Sequence, residues 1–129
     1  MADTIFCRPT NMSEEHPLPE IDAATAKVWL DARTAVLLDV REANEFEFEN
    51  VPGSLLLPLS FLDAETFPPI TDRKLIVMCA IGKRSAAAQK QLAASGIPNL
   101  YNLAGGIDGW KKAGYTTQGG KFESLDFSI

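Results

Sequence analysis

The stretch Leu75-Ile-Val-Met-Cys-Ala-Ile-Gly-Lys-Arg-Ser85 decides how this chain is expected to fold. Its first four residues form an apolar run, which predicts a buried strand over residues 75–78. Gly82 suits a tight loop, and the alanine-rich segment after it predicts a helix over residues 83–95. Cys79 therefore stands between the carboxyl end of a strand and the amino end of a helix. Open α/β sheets bind ligands at that edge, where backbone N–H groups and the helix dipole favour negative charge.

The rest of the chain alternates between strand and helix patterns. Apolar runs predict further strands over residues 35–40, 54–58 and 99–103. Helices are predicted over residues 23–32, 60–66 and 107–113, with a short helix or turn over residues 42–49. Asp22 is a good cap for the first helix, whose Val28, Trp29 and Ala32 share the face expected to meet the sheet. The alternation predicts a three-layer α/β domain with a mostly parallel sheet.

The composition and net charge of the chain argue against some classes of binding partner. The 129 residues include 12 Lys and Arg against 17 Asp and Glu, so the formal net charge is −5. An acidic chain is a poor ligand for nucleic acids and for anionic membranes, so neither is an expected partner. Two cysteines, Cys7 and Cys79, make no disulfide framework, and the amino terminus lacks the pattern of a signal peptide. The cytoplasm is the expected location, and no metal or cofactor is expected.

Cys79 is the candidate nucleophile. A thiol acts as a nucleophile only as the thiolate, so its surroundings must favour negative charge. The following helix, a nest of backbone N–H groups around Gly82, and the charges of Lys83 and Arg84 all serve that purpose. The alternative interpretation is a buried cysteine that only packs, since cysteine is among the most buried residue types. The loop around Gly82 and the helix that follows it together favour the interpretation of Cys79 as a reactive thiol over that of a packing residue.

Four motifs in sequence order resemble those of the rhodanese family. Residues 79–85 resemble its active-site loop, C-R-x-G-x-R-S. Leu38-Asp-Val-Arg-Glu-Ala-Asn-Glu-Phe46 is similar to L-D-V-R-x-x-x-E-[YF], and Glu49-Asn-Val-Pro-Gly-Ser54 to G-H-I-P-G-A. Asn102-Leu-Ala-Gly-Gly-Ile-Asp-Gly-Trp110 is similar to the closing L-x-G-G-x-x-x-W. The resemblance implies a rhodanese-like domain over residues 21–117 with a five-stranded sheet, an irregular arm over residues 1–20 and a tail over residues 118–129.

The resemblance also implies sulfur transfer. Cys79 would take the outer sulfur of a donor such as thiosulfate as a persulfide and pass it to cyanide, a thiol or an acceptor protein. The loop residues would bind the anion, and they are Ala80, Ile81, Gly82, Lys83, Arg84 and Ser85. Asp39 and Arg41 would form a structural charge pair near the site. The oligomeric state and the natural donor and acceptor stay open.

The sequence departs from the family pattern at two positions. Ala80 stands where the family often has Arg, which removes a positive charge from the rim of the loop and weakens the expected binding of a small dianion. Asn50 stands where the family often has His, and only the hydrogen bonding of a turn is expected to change. Neither departure removes the nucleophile.

Three alternative functions remain at this point. A Cys-dependent phosphatase would need a C-x-x-x-x-x-R loop, but only four residues separate Cys79 from Arg84, and no Asp in or just after the loop offers a general acid. A non-catalytic interaction module is disfavoured because Cys79 is retained. A redox protein is weaker still, since Cys7 lies in the arm, although Cys7 as an acceptor thiol is a hypothesis. His16, the single histidine, is interpreted as a solvated arm residue.

Overall fold

The computed structural model describes residues 18–120. The predictions for Cys7 and His16, and those for most of the arm and tail, fall outside these residues. None of the helices in this part of the chain is long and apolar enough to cross a membrane.

Within residues 18–120, five short strands alternate with helices. The strands are β1 (Glu20–Ile21), β2 (Ala35–Asp39), β3 (Leu55–Leu56), β4 (Lys74–Met78) and β5 (Leu100–Leu103). The helices are α1 (Ala23–Asp31), α2 (Ala43–Phe48), α3 (Lys83–Ala94) and α4 (Gly106–Lys112), with a 3₁₀ helix at Leu59–Phe61. This order confirms the predicted α/β class.

The strands form one parallel sheet in the order β1-β5-β4-β2-β3. Parallel pairing puts all carboxyl ends at one edge, where the register sets Asp39 of β2 beside Met78 of β4. The segment after β4 therefore starts in the middle of the sheet edge, which is where the loop from Cys79 begins. β1 includes Glu20, one residue before the expected start of the domain, and pairs with β5.

In the part of the chain that the structure describes, hydrophobic cores cover both faces of the sheet. On one face, Ile76 and Met78 pack with Ala26 of α1 and Trp110 of α4. The other core has alternate residues, Leu75, Val77 and Cys79, against α3. Successive strand side chains point to opposite faces, so β4 is apolar throughout because both faces are covered. The helices on both faces confirm the predicted three layers.

The predicted face of α1 is right at Trp29, which packs against the core, and wrong at Val28 and Ala32, which are exposed. Asp22 does cap this helix, accepting a hydrogen bond from the Thr25 N–H at 2.8 Å. The buried side chains are Ala23 and Ala26, however, while Val28 is 64% exposed. Small residues let the helix lie close to the sheet, and that contact outweighs the larger apolar side chain in choosing the buried face.

The predicted helix over residues 60–66 is also wrong. Only a 3₁₀ helix at Leu59–Phe61 forms there. Ser60 does not cap a helix, because its hydroxyl donates to the Glu42 carboxylate at 3.1 Å. Asp63 instead accepts from the Glu65 N–H at 3.0 Å and holds a separate turn. The apolar residues of this region pack on the α3 side of the sheet without helical spacing.

Candidate active site

Cys79 follows β4 directly and lies at the carboxyl edge of the sheet. Its side chain belongs to the core on the α3 face, and the residue is only 1% exposed. The Sγ atom nevertheless meets polar donors. The Gly82 N–H lies 3.0 Å from it, and the Ser85 hydroxyl lies 3.4 Å from it. The thiol therefore sits where the apolar core ends and a hydrogen-bonding loop begins.

The loop after Cys79 is held from outside by the start of α4. The Ile107 N–H donates to the Cys79 carbonyl at 2.9 Å, and the Asp108 N–H donates to the Ala80 carbonyl at 3.2 Å. Gly106 makes this approach possible, since a Cβ there would overlap the Cys79 carbonyl oxygen. Because α4 engages these carbonyl groups on one side of the loop, the loop N–H groups can turn toward the sulfur.

Gly82 gives the loop its turn into α3. Its φ of 107° is left-handed, a conformation that side-chain-bearing residues rarely adopt. It is the N-cap of α3, so the helix starts beside the sulfur. The structure thus brings backbone N–H groups and a helix start together at Cys79.

These contacts set the ionisation of the thiol. Burial raises the pKa of Cys79, but hydrogen bonds from the Ser85 hydroxyl and from the N–H groups of Ser85, Gly82 and Ile81 lower it. The hydrogen bonds outweigh burial, and the pKa of the thiol lies below its ordinary value. The site therefore favours a thiolate at the end of a buried strand.

Asn102 of β5 holds the loop around Cys79 through its buried side chain. It is buried, its side-chain NH₂ donates to the Gly82 carbonyl at 3.0 Å, and its side-chain oxygen accepts from the Ser85 hydroxyl at 2.5 Å. One buried amide thus holds both the turn residue and the hydroxyl that faces the sulfur. A hydroxyl has a single proton to donate, so Asn102 and the sulfur compete for that of Ser85.

Arg84 does not donate to the sulfur. Its two terminal nitrogens pair with the Glu45 carboxylate of α2 at 2.8 and 2.9 Å. This pairing holds the pKa of Glu45 at about 2 and raises that of Arg84. Arg84, expected in the anion-binding loop, thus acts on the sulfur through its charge rather than through a hydrogen bond.

The other loop residues lie at the surface or near it. Ile81 is 56% exposed, Lys83 is exposed and Ala80 is half-buried. Their side chains stand around the entrance, whereas Cys79, Gly82 and Ser85 meet at the sulfur.

Asp39 and Arg41 form a buried ion pair. The Arg41 Nη2 lies 2.8 Å from the Asp39 carboxylate and 2.7 Å from the Glu49 carbonyl. The pair thus ties the end of β2 to the segment after α2. Asn50, the second departure from the family pattern, is also buried, and its backbone exchanges hydrogen bonds with Gln118 at 2.6 and 2.8 Å.

Sequence reasoning missed Glu45 and Asn102 as members of the site. Glu45 is 39 positions from its partner Arg84, and Asn102 is 17 positions from Ser85. Asn102 carried one signal: a polar residue inside an apolar strand needs a buried partner.

A cavity of about 540 Å³ lies away from the sulfur. Arg33, Arg73 and Leu55 are among its lining residues, and they place it near the opposite edge of the sheet. It therefore contributes nothing to the site at Cys79.

Comparisons with known proteins agree with this geometry. The family model of the rhodanese-like domain matches residues 22–113. The thiosulfate sulfurtransferase GlpE of Actinobacillus succinogenes is 34% identical over 99 residues, which cover 74% of this chain and 86% of that protein. An uncharacterised Synechocystis protein is 35% identical over 82 residues, 64% of this chain, and the chain spans only 46% of its length.

Solved structures share the fold. A rhodanese-related protein from Thermoplasma volcanium superimposes with a TM-score of 0.67 at 33% identity, covering 78% of this chain and 98% of that one. The family model, the sulfurtransferase relative and the solved structure all identify the same family. The chain belongs to the rhodanese-like family.

Proposed function

We propose that the protein is a sulfurtransferase that carries sulfane sulfur as a persulfide on Cys79. The observation that supports this most is the set of donors around the thiol. The Gly82 N–H at 3.0 Å and the Ser85 hydroxyl at 3.4 Å face a sulfur whose pKa is lowered. Similarity to GlpE, a protein named thiosulfate sulfurtransferase, supports the same reaction class.

The reaction has two displacement steps. The Cys79 thiolate attacks the outer sulfur of thiosulfate, the S–S bond of the donor breaks, and sulfite leaves with the bonding electron pair. The product is the persulfide anion Cys79–S–S⁻. A cyanide ion or a thiolate then attacks its outer sulfur, which yields thiocyanate or a new persulfide and restores the Cys79 thiolate. Both steps balance without a cofactor.

The loop residues 80–85 serve as the anion site in this proposal. The N–H groups of Ile81, Gly82 and Ser85 stabilise negative charge on the sulfur, because they are fixed donors that face it. The positive charge of Arg84 further stabilises an anionic sulfur, and the ion pair with Glu45 keeps the Arg84 side chain in position. Asp39 and Arg41 keep the neighbouring segment in position and touch no reacting atom.

A phosphatase is the competing enzyme class, and the contacts of Arg84 argue against it. An arginine that serves phosphoryl transfer presents its fork of N–H groups to the phosphate oxygens. Here both terminal nitrogens of Arg84 are engaged by Glu45. A loop with four residues between Cys79 and Arg84 is also one residue shorter than the phosphatase pattern. A non-catalytic interaction module is the other alternative, and it does not require a thiol whose pKa is lowered.

Intact mass spectrometry tests the proposal. The protein is incubated with thiosulfate, desalted and weighed. We expect a gain of one sulfur atom, its removal by cyanide, and release of one thiocyanate per protein.

Two cysteine variants test whether Cys79 is the residue that carries the added sulfur. Cys79→Ser should abolish the gain, whereas Cys7→Ser should retain it in full. If several sulfane donors leave the mass unchanged while an aryl phosphate is hydrolysed, the phosphatase takes the place of the sulfurtransferase. A gain that disappears in Cys7→Ser and persists in Cys79→Ser would refute Cys79 as the carrier.

A further inference from the structure

Two of the four most exposed large apolar side chains in the described part of the chain lie at the edge of the sheet that carries Cys79. Among residues 18–120, the large apolar residues with most of their surface in water are Val28 (64%), Leu55 (55%), Phe61 (74%) and Ile81 (56%). Val28 lies on the outer side of α1 and Leu55 on the edge strand β3. Phe61 and Ile81 instead lie at the carboxyl edge of the sheet, the edge that carries Cys79.

A continuous line of polar contacts joins the positions of these two residues. Ile81 is two residues after Cys79, in the loop that leads to Arg84. Arg84 pairs with Glu45, and the Glu45 carboxylate accepts from the Glu42 N–H at 3.0 Å. The Glu42 carboxylate in turn accepts from Ser60, the neighbour of Phe61. We call the exposed surface from Phe61 through this line to Ile81 and Lys83 the rim.

The charge of the rim gives little attraction to a small anionic acceptor. Arg84 and Glu45 form an ion pair at 2.8 Å, so their charges largely cancel for an anion that approaches from a distance, although Arg84 still acts on the nearby sulfur. The other cation of the rim is Lys83, which has no ion pair within residues 18–120. Glu42, which belongs to the rim, and Asp108, whose N–H contacts the Ala80 carbonyl, are both exposed and add negative charge. Long-range attraction of an anion needs an excess of positive charge, which the rim lacks.

Burial of the sulfur restricts the shape of the acceptor. Cys79 is 1% exposed, so an attacking sulfur must be carried on a slender group that projects into the loop. A cysteine side chain on a polypeptide projects in that way, and its neighbours in sequence would then lie against Phe61 and Ile81. Apolar neighbours would bury that surface and stabilise the encounter.

From this combination we propose that the acceptor of the sulfur is a polypeptide cysteine flanked by apolar residues, which docks on the rim. The statement deepens the proposed sulfurtransferase function and rests on it. The outer sulfur of Cys79–S–S⁻ is attacked by the partner's thiolate. The S–S bond breaks, the partner becomes a persulfide, and Cys79 is left as the thiolate.

Docking is tested by thiol exchange with model peptides. The probes are acetyl-Leu-Cys-Leu-amide and acetyl-Ser-Cys-Ser-amide, each prepared as the 2-thiopyridyl disulfide. In the Cys7→Ser protein, Cys79 attacks the peptide sulfur, forms a mixed disulfide and expels 2-thiopyridone, which is followed by absorbance. Each rate is divided by the rate of the same peptide with free cysteine. We expect the apolar peptide to react roughly tenfold faster, a difference of about 1.4 kcal/mol.

Surface variants identify the rim as the source of the preference. Phe61→Ser and Ile81→Ser should each reduce the ratio of the two peptide rates toward one. Val28→Ser removes an equally exposed apolar side chain from α1 and should leave the ratio unchanged. Equal rates with both peptides, or a ratio that is unaffected by Phe61→Ser and Ile81→Ser, would overturn docking on the rim.

A second arm separates this proposal from the proposed function. The persulfide is loaded with thiosulfate, and its transfer to the two free peptides and to glutathione is compared. Exchange needs no persulfide, so a peptide preference without any sulfur gain would refute the sulfurtransferase and keep the docking surface. Sulfur gain with transfer as fast to glutathione as to the apolar peptide would refute the polypeptide acceptor alone.

Discussion

Ser85 is the residue whose hydroxyl faces both the Cys79 sulfur and the buried side-chain amide of Asn102. Its oxygen lies 3.4 Å from Cys79 Sγ and 2.5 Å from the Asn102 side-chain oxygen. A hydrogen bond to the thiolate favours the charged form, which is one of the causes that lower the pKa of Cys79. The ionisation of the Cys79 thiol therefore depends on a side chain six positions further along the chain.

The pH dependence of alkylation measures this effect. Because hydrogen bonds lower the pKa of Cys79, the iodoacetamide rate of the Cys7→Ser protein should rise with pH around a midpoint below that of an ordinary cysteine thiol. Ser85→Ala should move the midpoint upward, since it removes a donor and leaves burial in place. Ser54→Ala is the control, because it removes a hydroxyl that donates to the Val51 carbonyl, and it should leave the midpoint unchanged. A midpoint that Ser85→Ala does not raise would contradict the role of the hydroxyl.

Gly106 allows the start of α4 to approach the loop after Cys79, and a substitution there tests the importance of that contact. Its φ is 59°, and a Cβ would overlap the Cys79 carbonyl oxygen and approach the Ala80 carbonyl. Gly106→Ala should therefore destabilise the fold by about 2–4 kcal/mol and slow alkylation of Cys79, because α4 must move away from the loop. The measurements are urea denaturation and the alkylation rate.

Gly96→Ala is the control for backbone strain alone. Gly96 also has a left-handed φ, 90°, but a Cβ there would meet nothing within 4 Å. It should cost only about 1 kcal/mol and leave Cys79 reactivity intact. Equal losses in the two variants would show that steric overlap with the loop is unimportant.

At the scale of elements, the pair between Glu45 and Arg84 connects α2 to the start of α3. The pKa of Glu45 is lowered from 4.5 to about 2, chiefly by the hydrogen bond to Arg84. A lowered carboxyl pKa contributes stability above the unfolded value, and this contribution is lost as pH falls from about 4.5 toward 2. The pair is partly exposed, so solvent screening limits it to about 1 kcal/mol.

Chemical denaturation of Glu45→Gln tests this contribution. The variant should be less stable than the parent by about 1 kcal/mol at pH 7, and the difference should shrink as pH approaches about 2. Glu65→Gln, which removes an exposed carboxylate that forms no ion pair within residues 18–120, is the control. A difference that stays constant over this pH range would contradict the assignment.

The elements also show which features sequence reasoning can reach. The strand before Cys79, the loop and α3 are continuous in sequence, so local patterns predict them. The predicted face of α1 is wrong at Val28 and Ala32, and the predicted helix over residues 60–66 is absent. Both errors arise because the close packing of Ala23 and Ala26 and the hydrogen bond from Ser60 to Glu42 are tertiary contacts. The pairing of Glu45 with Arg84 likewise depends on which elements become neighbours.

At the scale of the whole molecule, stability is concentrated at the centre of the sheet. β4 is paired on both sides and covered on both faces, while β1 and β3 are two-residue strands at the edges. We expect the amides of Ile76 and Val77 to exchange with solvent slowest and those of β3 to exchange much faster. Hydrogen exchange followed by NMR measures this, and equal protection of β3 and β4 would contradict it.

The contacts between α4 and the loop have one more consequence, which concerns timing. The carbonyl groups of Cys79 and Ala80 are held by the N–H groups of Ile107 and Asp108, so these bonds form when the chain folds. The entropy of ordering the loop is therefore lost once, at folding, and would not be lost again when a ligand binds at the sulfur. A sulfur atom accepted by Cys79, as we propose, would meet donors that are already in position.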